Sequence, residues 1–238
     1  MCRMLGVVAQ TPVKMDALLC DRQASLGALS MEHADGWGIA RWLRTTWIVE
    51  RSTERAAGSA RFERAARSSE ATILVAHVRK KTVGPTSLAN THPFVRGRFV
   101  LAHNGTVTDV ARLERATSRE RASEVAGQTD SERLFAFLLT SVDELGVQAG
   151  LRAATIGLGR SATIGSASFL FSDGVDLYAF SLGRELHVLE RGIATADVER
   201  RQPAIFVASQ PLTTERWQKL REGELVRVGG SSRFERAA

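Results

Sequence analysis

Cys2 stands directly behind the initiator Met1, so loss of one residue would leave a thiol and a free α-amine on the same amino acid. Such a residue is a nucleophile that carries its own base. Thiolate is the reactive form of cysteine, and an unperturbed thiol pKa of about 8.5 leaves only a minority ionised at neutral pH, whereas an α-amine of pKa about 7.7–8.0 can accept the proton. No distant histidine is then required; the plainer reading is a cysteine of no chemical consequence. His77-Val78-Arg79 closes an apolar run, and alternation along a strand puts His77 and Arg79 on one face. A guanidinium at a strand end can grip a carboxylate through paired hydrogen bonds, or it can sit in an ordinary surface salt bridge. In Ala102-His103-Asn104-Gly105 an amide side chain and a glycine N–H can converge on one anion as a small oxyanion hole, unless the pair is only a hairpin turn. His33-Ala34-Asp35-Gly36-Trp37-Gly38 reads as a turn into a buried tryptophan, with glycines that permit close backbone approach.

Other chemistries find less support. His77, His92 and His103 could approach one another, yet no HExxH, carboxylate cluster or cysteine pair accompanies them. They read as structural, hydrogen-bonding histidines, and neither a metal nor a cofactor is expected. Residues 157–165 are rich in glycine and serine but lack the lysine and spacing of a phosphate-binding loop; they read as a plain loop. The formal charge of +6 invites a nucleic-acid partner, but arginines alternate with glutamates at 54–67 and 112–124 and the few aromatics lie in apolar runs, so none is expected.

The elements that must position these groups come from a chain of 238 residues, 44% hydrophobic, enough to fill a sizeable core. Its apolar runs are far shorter than the ~20 residues of a membrane span, no signal-peptide core precedes Gln10, and two cysteines make no disulfide framework. A cytoplasmic protein without membrane contact is the expectation. Strands are expected at 3–9, 37–43, 46–50, 72–78, 98–103, 167–172, 175–181, 185–190, 204–208 and 224–228, many joined by short turns and therefore antiparallel. Leu134, Phe137, Leu138 and Ser141 follow helical spacing across 130–145, with Thr129 or Asp130 as cap. Weaker helices are expected at 15–25, 56–68, 107–115 and 214–220. Strands interspersed with helices, without regular βα alternation, predict an α+β layered domain. The nonapeptide GSARFERAA at 58–66 returns as GSSRFERAA at 230–238; both copies read as solvent-facing, and residues 229–238 as a disordered tail.

Taken in order, Cys2, the HVR segment with Thr82, Asn90-Thr91-His92-Pro93-Phe94, AHNG and Gln128-Thr129-Asp130-Ser131-Glu132 resemble the glutaminase domain of class II glutamine amidotransferases, which are N-terminal nucleophile hydrolases. DGWG at 35–38, THPF at 91–94 and Ser209-Gln210-Pro211-Leu212-Thr213 are most similar to the stand-alone YafJ-like subgroup. The resemblance covers residues 2–228 and implies a four-layer αββα sandwich of two mostly antiparallel sheets. It implies that Cys2 attacks the γ-amide of glutamine or a γ-glutamyl compound to form a thioester, with Asn104 and Gly105 on the oxyanion. It further implies Arg79 on the substrate α-carboxylate, Asp130 on its α-ammonium and Thr82 lining the same pocket. Many relatives carry an aromatic residue after the arginine and a histidine after the threonine, where this chain has Lys80 and Val83; a different substrate loop follows. No second catalytic domain is expected beyond 228, so ammonia would leave to solvent or pass to an acceptor enzyme on another chain. A γ-glutamyl peptide or conjugate hydrolase, and a catalytically idle ligand-binding or regulatory subunit, remain as alternatives.

Overall fold

The computed structural model describes residues 2–21, 24–194, 201–229 and 234–236. The chain runs β1 (Arg3–Lys14), α1 (Leu26–Leu29), β2 (Trp37–Leu43), β3 (Thr46–Ser52), α2 (Ala60–Arg67), β4 (Glu70–Val78), β5 (Phe94–Arg96), β6 (Phe99–Val107), α3 (Val110–Arg115) and α4 (Arg119–Ser123). It continues through α5 (Asp130–Leu145), α6 (Val147–Gly159), β7 (Gly165–Ser172), β8 (Leu177–Ser181), β9 (His187–Ala194), β10 (Arg201–Ala208), β11 (Gln218–Lys219), β12 (Glu224–Val228) and β13 (Phe234–Arg236). Seven strands form one sheet in the order β11-β9-β10-β1-β4-β2-β3, and six form the other as β13-β12-β8-β7-β6-β5. Every registered pairing is antiparallel.

Strand alternation builds the layers. On β1, Leu5 and Val7 face a core shared with α1 and α2, which includes Phe62. Met4 and Val8 face the opposite way, into a core between the sheets that also holds Val75, Ala102 and Leu170. A third core joins the second sheet to α3, α5 and α6 through Leu101, Phe169, Leu134 and Leu151. The result is the expected αββα sandwich. Because the central strands are buried on both faces, they read as continuous apolar runs instead of a clean alternation.

Several local expectations change. Residues 214–220 form no helix: Trp217 Nε1 donates to Thr213 Oγ1 at 3.0 Å, and Gln218–Lys219 joins the edge of β9. The sheet edge supplies the backbone partners that one isolated turn of helix would lack. Within 15–25 the chain makes a wide helical turn at Ala17–Asp21, and α1 begins only after it, at Leu26. The plain loop expected at 157–165 begins as the last turn of α6, which carries Leu151, Ala154 and Leu158 into the core; burial outweighs glycine's cost in a helix. The first nonapeptide copy is not solvent-facing, because Phe62, Ala65 and Ala66 of α2 are buried and Phe62 meets Trp37 at 5.2 Å. In the stretch expected as a tail, Phe234–Arg236 pairs with β12, while 230–233 and 237–238 lie outside the described residues.

Candidate active site

The β1–β4 register sets Arg3 opposite Val78 and Met4 opposite His77, which carries Cys2 to the strand end where Arg79 emerges. Ser209 fastens that end: its hydroxyl accepts from the Met4 N–H at 3.1 Å and its own N–H donates to the Met4 carbonyl at 3.1 Å. Cys2 is half-buried, with the Lys80 N–H donating to its Sγ at 3.3 Å and the thiol 3.4 Å from the Lys80 carbonyl. Burial pushes the Cys2 thiol up; the Lys80 N–H and the Arg79 charge pull it down, and Asp130 pushes it up again. A thiol held mostly protonated needs a base close at hand.

Arg79 is 3% exposed and enters no ion pair among the described residues, so the surface-salt-bridge alternative is set aside. Its guanidinium donates to the carbonyls of Val83 at 3.0 Å and Pro85 at 3.2 Å, curling the 80–85 loop around itself. Burial pushes Arg79 down, and Cys2, Asp35 and Asp130 offset this. Asp35, read from sequence as part of a turn, is a clamp: its N–H donates to the Arg79 carbonyl at 3.1 Å and its carboxylate accepts from the Lys81 N–H at 2.8 Å. Gly38 is required beside it, because a Cβ there would lie 2.2 Å from the His92 carbonyl.

Asn90 is a second residue whose role the sequence did not disclose. Its Nδ2 donates to the Pro85 carbonyl at 2.9 Å and its Oδ1 accepts from the Gln128 N–H at 2.8 Å. One buried side chain thus joins the loop curled around Arg79 to the segment that starts α5. That helix is capped by Thr129, whose hydroxyl accepts from the Glu132 N–H at 3.3 Å. Asp130 is therefore not the cap; it turns to β6 and accepts from the Val107 N–H at 2.7 Å. Glu132 holds the preceding loop, accepting from the N–H groups of Ala126 at 3.0 Å and Gly127 at 2.6 Å and from Arg96 at 2.6 Å.

On β6, Asn104 faces the space between the sheets, on the same side as Ala102. It is 4% exposed, its Oδ1 is buried without a partner, and its side-chain amide makes no hydrogen bond among the described residues. An amide left idle in a tight site is a donor awaiting a ligand. Gly105 has φ +157°, and a Cβ there would sit 2.2 Å from the Ser166 carbonyl, so only glycine fits. Thr82 is exposed and accepts from the Thr106 hydroxyl at 3.4 Å. Cys2, Arg79 and Asp130 feel one another's charge. Asn104 shares with Arg3, the neighbour of Cys2, the wall of an open cavity of about 870 Å³.

The three histidines form a buried column between the layers. His77 and His92 ring centroids lie 4.3 Å apart, and His92 and His103 lie 6.5 Å apart. His103 is hydrogen-bonded on both sides: the Ser166 carbonyl at 3.2 Å can only accept, so Nε2 carries the proton and Nδ1, 2.8 Å from Ser131 Oγ, accepts. Neither nitrogen of His92 has a partner among the described residues. No group of three His, Cys, Asp or Glu among the described residues is arranged to hold a metal ion. Burial is the largest cause that lowers all three, with His77 brought to about 3 and His92 well below its ordinary value.

Acid lability follows. An unfolded histidine takes a proton near pH 6.5 while its buried counterpart does not, so stability is full above that pH and falls as pH drops from 6.5 toward 3. His77 costs roughly 1.4 kcal/mol per pH unit in that window, and His92 and His103 act in the same direction. The urea midpoint should decline steadily from pH 7 to pH 4.5, less steeply in His92→Phe. A midpoint unchanged over that range would contradict the buried neutral column.

The family profile described as glutamine amidotransferases class-II matches residues 1–233. The putative glutamine amidotransferase YafJ of Escherichia coli is 31% identical, over 94% of this chain and 96% of its own. The γ-glutamyl-hercynylcysteine sulfoxide hydrolase of Mycobacterium tuberculosis is 27% identical, over 96% of this chain and 93% of its own. Among solved structures, a glutamine aminotransferase class-II domain protein from Silicibacter pomeroyi superposes with a TM-score of 0.69 at 22% identity, over 99% of this chain and 97% of that one. Among the described residues no helix is long and apolar enough to cross a membrane.

Proposed function

The chain belongs to the class II glutamine amidotransferases, and on that premise we propose that it cleaves the γ-amide bond of glutamine or a γ-glutamyl compound through a thioester on Cys2. Removal of Met1 frees the Cys2 α-amine, which takes the thiol proton; the sulfur adds to the γ-carbonyl carbon. Asn104 and the Gly105 N–H hold the oxyanion, and the ammonium returns its proton to the departing amine. Water then adds to the thioester, its oxygen retained in glutamate and a proton returned to sulfur. Arg79 takes the α-carboxylate and Asp130 the α-ammonium, with Thr82 beside them.

The observation that supports this reading is that a thiol, a buried arginine and a buried carboxylate at the ends of β1, β4 and α5 feel one another's charge, while the facing sheet offers the idle Asn104 amide. One buried cation and one buried anion that feel each other's charge suit a zwitterion. Cys2 and Cys20 form no disulfide among the described residues, which accords with a cytoplasmic setting, and an ammonia-accepting enzyme on a separate chain is an admissible partner. A screen of glutamate release over glutamine, γ-glutamyl peptides and γ-glutamyl amines tests the proposal, with Cys2→Ala as blank. Binding without release from any of them would favour the idle, ligand-binding alternative.

Asn90→Ala provides a finer test. Loss of the two bonds that tie the Arg79 loop to the start of α5 should raise KM about 10-fold, the equivalent of about 1.4 kcal/mol, and alter kcat by less than about 3-fold. A fall in kcat at unchanged KM would mean that Asn90 serves the chemical step instead.

A further inference from the structure

We propose that His103 is a positioning residue for the reaction: its imidazole, clasped between Ser131 of α5 and Ser166 of β7, holds the Gly105 N–H toward the oxyanion through one ring nitrogen and the Asp130 carboxylate toward the substrate ammonium through the other. This rests on the hydrolase reading above and deepens it. His103 lies on the face of β6 opposite Asn104 and is 1% exposed. It acts only through its neighbours.

Backbone direction makes Gly105 the point that needs support. Along a strand, successive N–H groups point to opposite edges. The Thr106 N–H turns to β7, donating to Ser166 Oγ at 3.0 Å, and the Val107 N–H turns the other way, to Asp130 at 2.7 Å. By alternation the Gly105 N–H shares the edge of Val107. On that edge β5 pairs with β6 only from Phe99 to Leu101, so among the described residues no strand reaches Gly105. An N–H outside the ladder is free to serve an anion, and its aim depends on what packs against its residue. Where a Cβ of residue 105 would point stand the Ser166 carbonyl and His103 Nε2, the latter 2.9 Å away. Nε2 donates to that carbonyl at 3.2 Å, so ring and carbonyl form one floor under Gly105. On its other side the ring reaches α5: Nδ1 accepts from Ser131 Oγ at 2.8 Å, and Ser131 directly follows Asp130 in the first turn. Burial lowers His103 while the Asp130 charge raises it, which sets the carboxylate near the ring. Loss of the Nε2 bond frees Gly105 to turn its N–H from the oxyanion, which slows the chemical step. Loss of the Nδ1 bond loosens the start of α5, which weakens the hold on substrate.

The experiment measures kcat and KM for glutamate release from glutamine and from γ-glutamylglycine in the full chain, with kcat expressed per site that diazo-oxo-norleucine labels at completion. His103→Gln, whose amide can replace Nε2 as donor, and Ser131→Ala should each keep kcat within about 3-fold of wild type and raise KM about 5- to 10-fold. His103→Leu, which loses both bonds, should show the same rise in KM together with a fall in kcat of about 10- to 50-fold. A histidine that merely filled space would change the yield of folded, labelled protein and leave both constants per site as they were. A kcat for His103→Leu within about 3-fold of wild type, or a kcat for His103→Gln as low as that of His103→Leu, overturns the proposal. If His103→Leu fails to fold, Ser131→Ala decides, and an unaltered KM there overturns it. Wild-type protein that neither releases glutamate nor takes the label removes instead the hydrolase reading beneath.

Discussion

Replacement of Cys2 by alanine is expected to lower glutamate release on the order of 10⁴-fold or more while the melting temperature stays within a few degrees of wild type. The two halves of that expectation have separate grounds. Catalysis is lost because no second thiol can substitute: Cys20 lies against the outer core on the far side of the first sheet. Stability is kept because the hydrogen bonds of Sγ among the described residues are to the Lys80 backbone, at 3.3 and 3.4 Å, and hydrogen bonds of sulfur are weak. The mechanism also requires that the amine be free. Intact mass should show loss of Met1 and a single adduct of diazo-oxo-norleucine on wild type, none on Cys2→Ala. Full activity in a preparation that retains Met1, or in Cys2→Ala, would sink the nucleophile assignment.

What could be read before folding, and what could not, divides along a physical line. Asp130–Leu145 was legible because a helix with one apolar stripe advertises its period, and its cap lies within three residues. Cys2, Arg79, Asn104 and Asp130 were legible as types in an order; their convergence depends on β1 pairing with β4, and β6 lying in the facing sheet. Asn90 was in view as part of a motif, yet its task of joining two loops is invisible until both loops are placed.

The repeated nonapeptide makes the same point most sharply. In the first copy Ser59 accepts from the Phe62 N–H at 3.2 Å, starting α2, and Phe62 is buried on Trp37. In the second, Phe234–Arg236 is strand, with Glu235 opposite Arg227 and their side chains 3.4 Å apart. Identical residues FER adopt helix in one copy and strand in the other according to what they pack against or pair with. Propensity is a weak prior that tertiary context overrides.

Asn104→Ala should lower kcat by about 10²–10³-fold, about 3–4 kcal/mol of transition-state stabilisation, and leave KM within about 3-fold. An amide that meets only the oxyanion contributes nothing to the ground state. Its truncation should also leave the fold as stable as before, or slightly more so, since the Oδ1 atom is buried without a partner among the described residues and its removal relieves a desolvation cost of about 1–3 kcal/mol. Rate and stability would thus move in opposite directions, which a residue retained for packing alone cannot do. Asn104→Asp should be slower still, because a carboxylate there repels the developing negative charge. The loss should be equal for glutamine and for γ-glutamyl amines, since all pass through the same oxyanion. An Asn104→Ala enzyme with unaltered kcat would place the oxyanion elsewhere, and with it the amine that leaves from the same carbon.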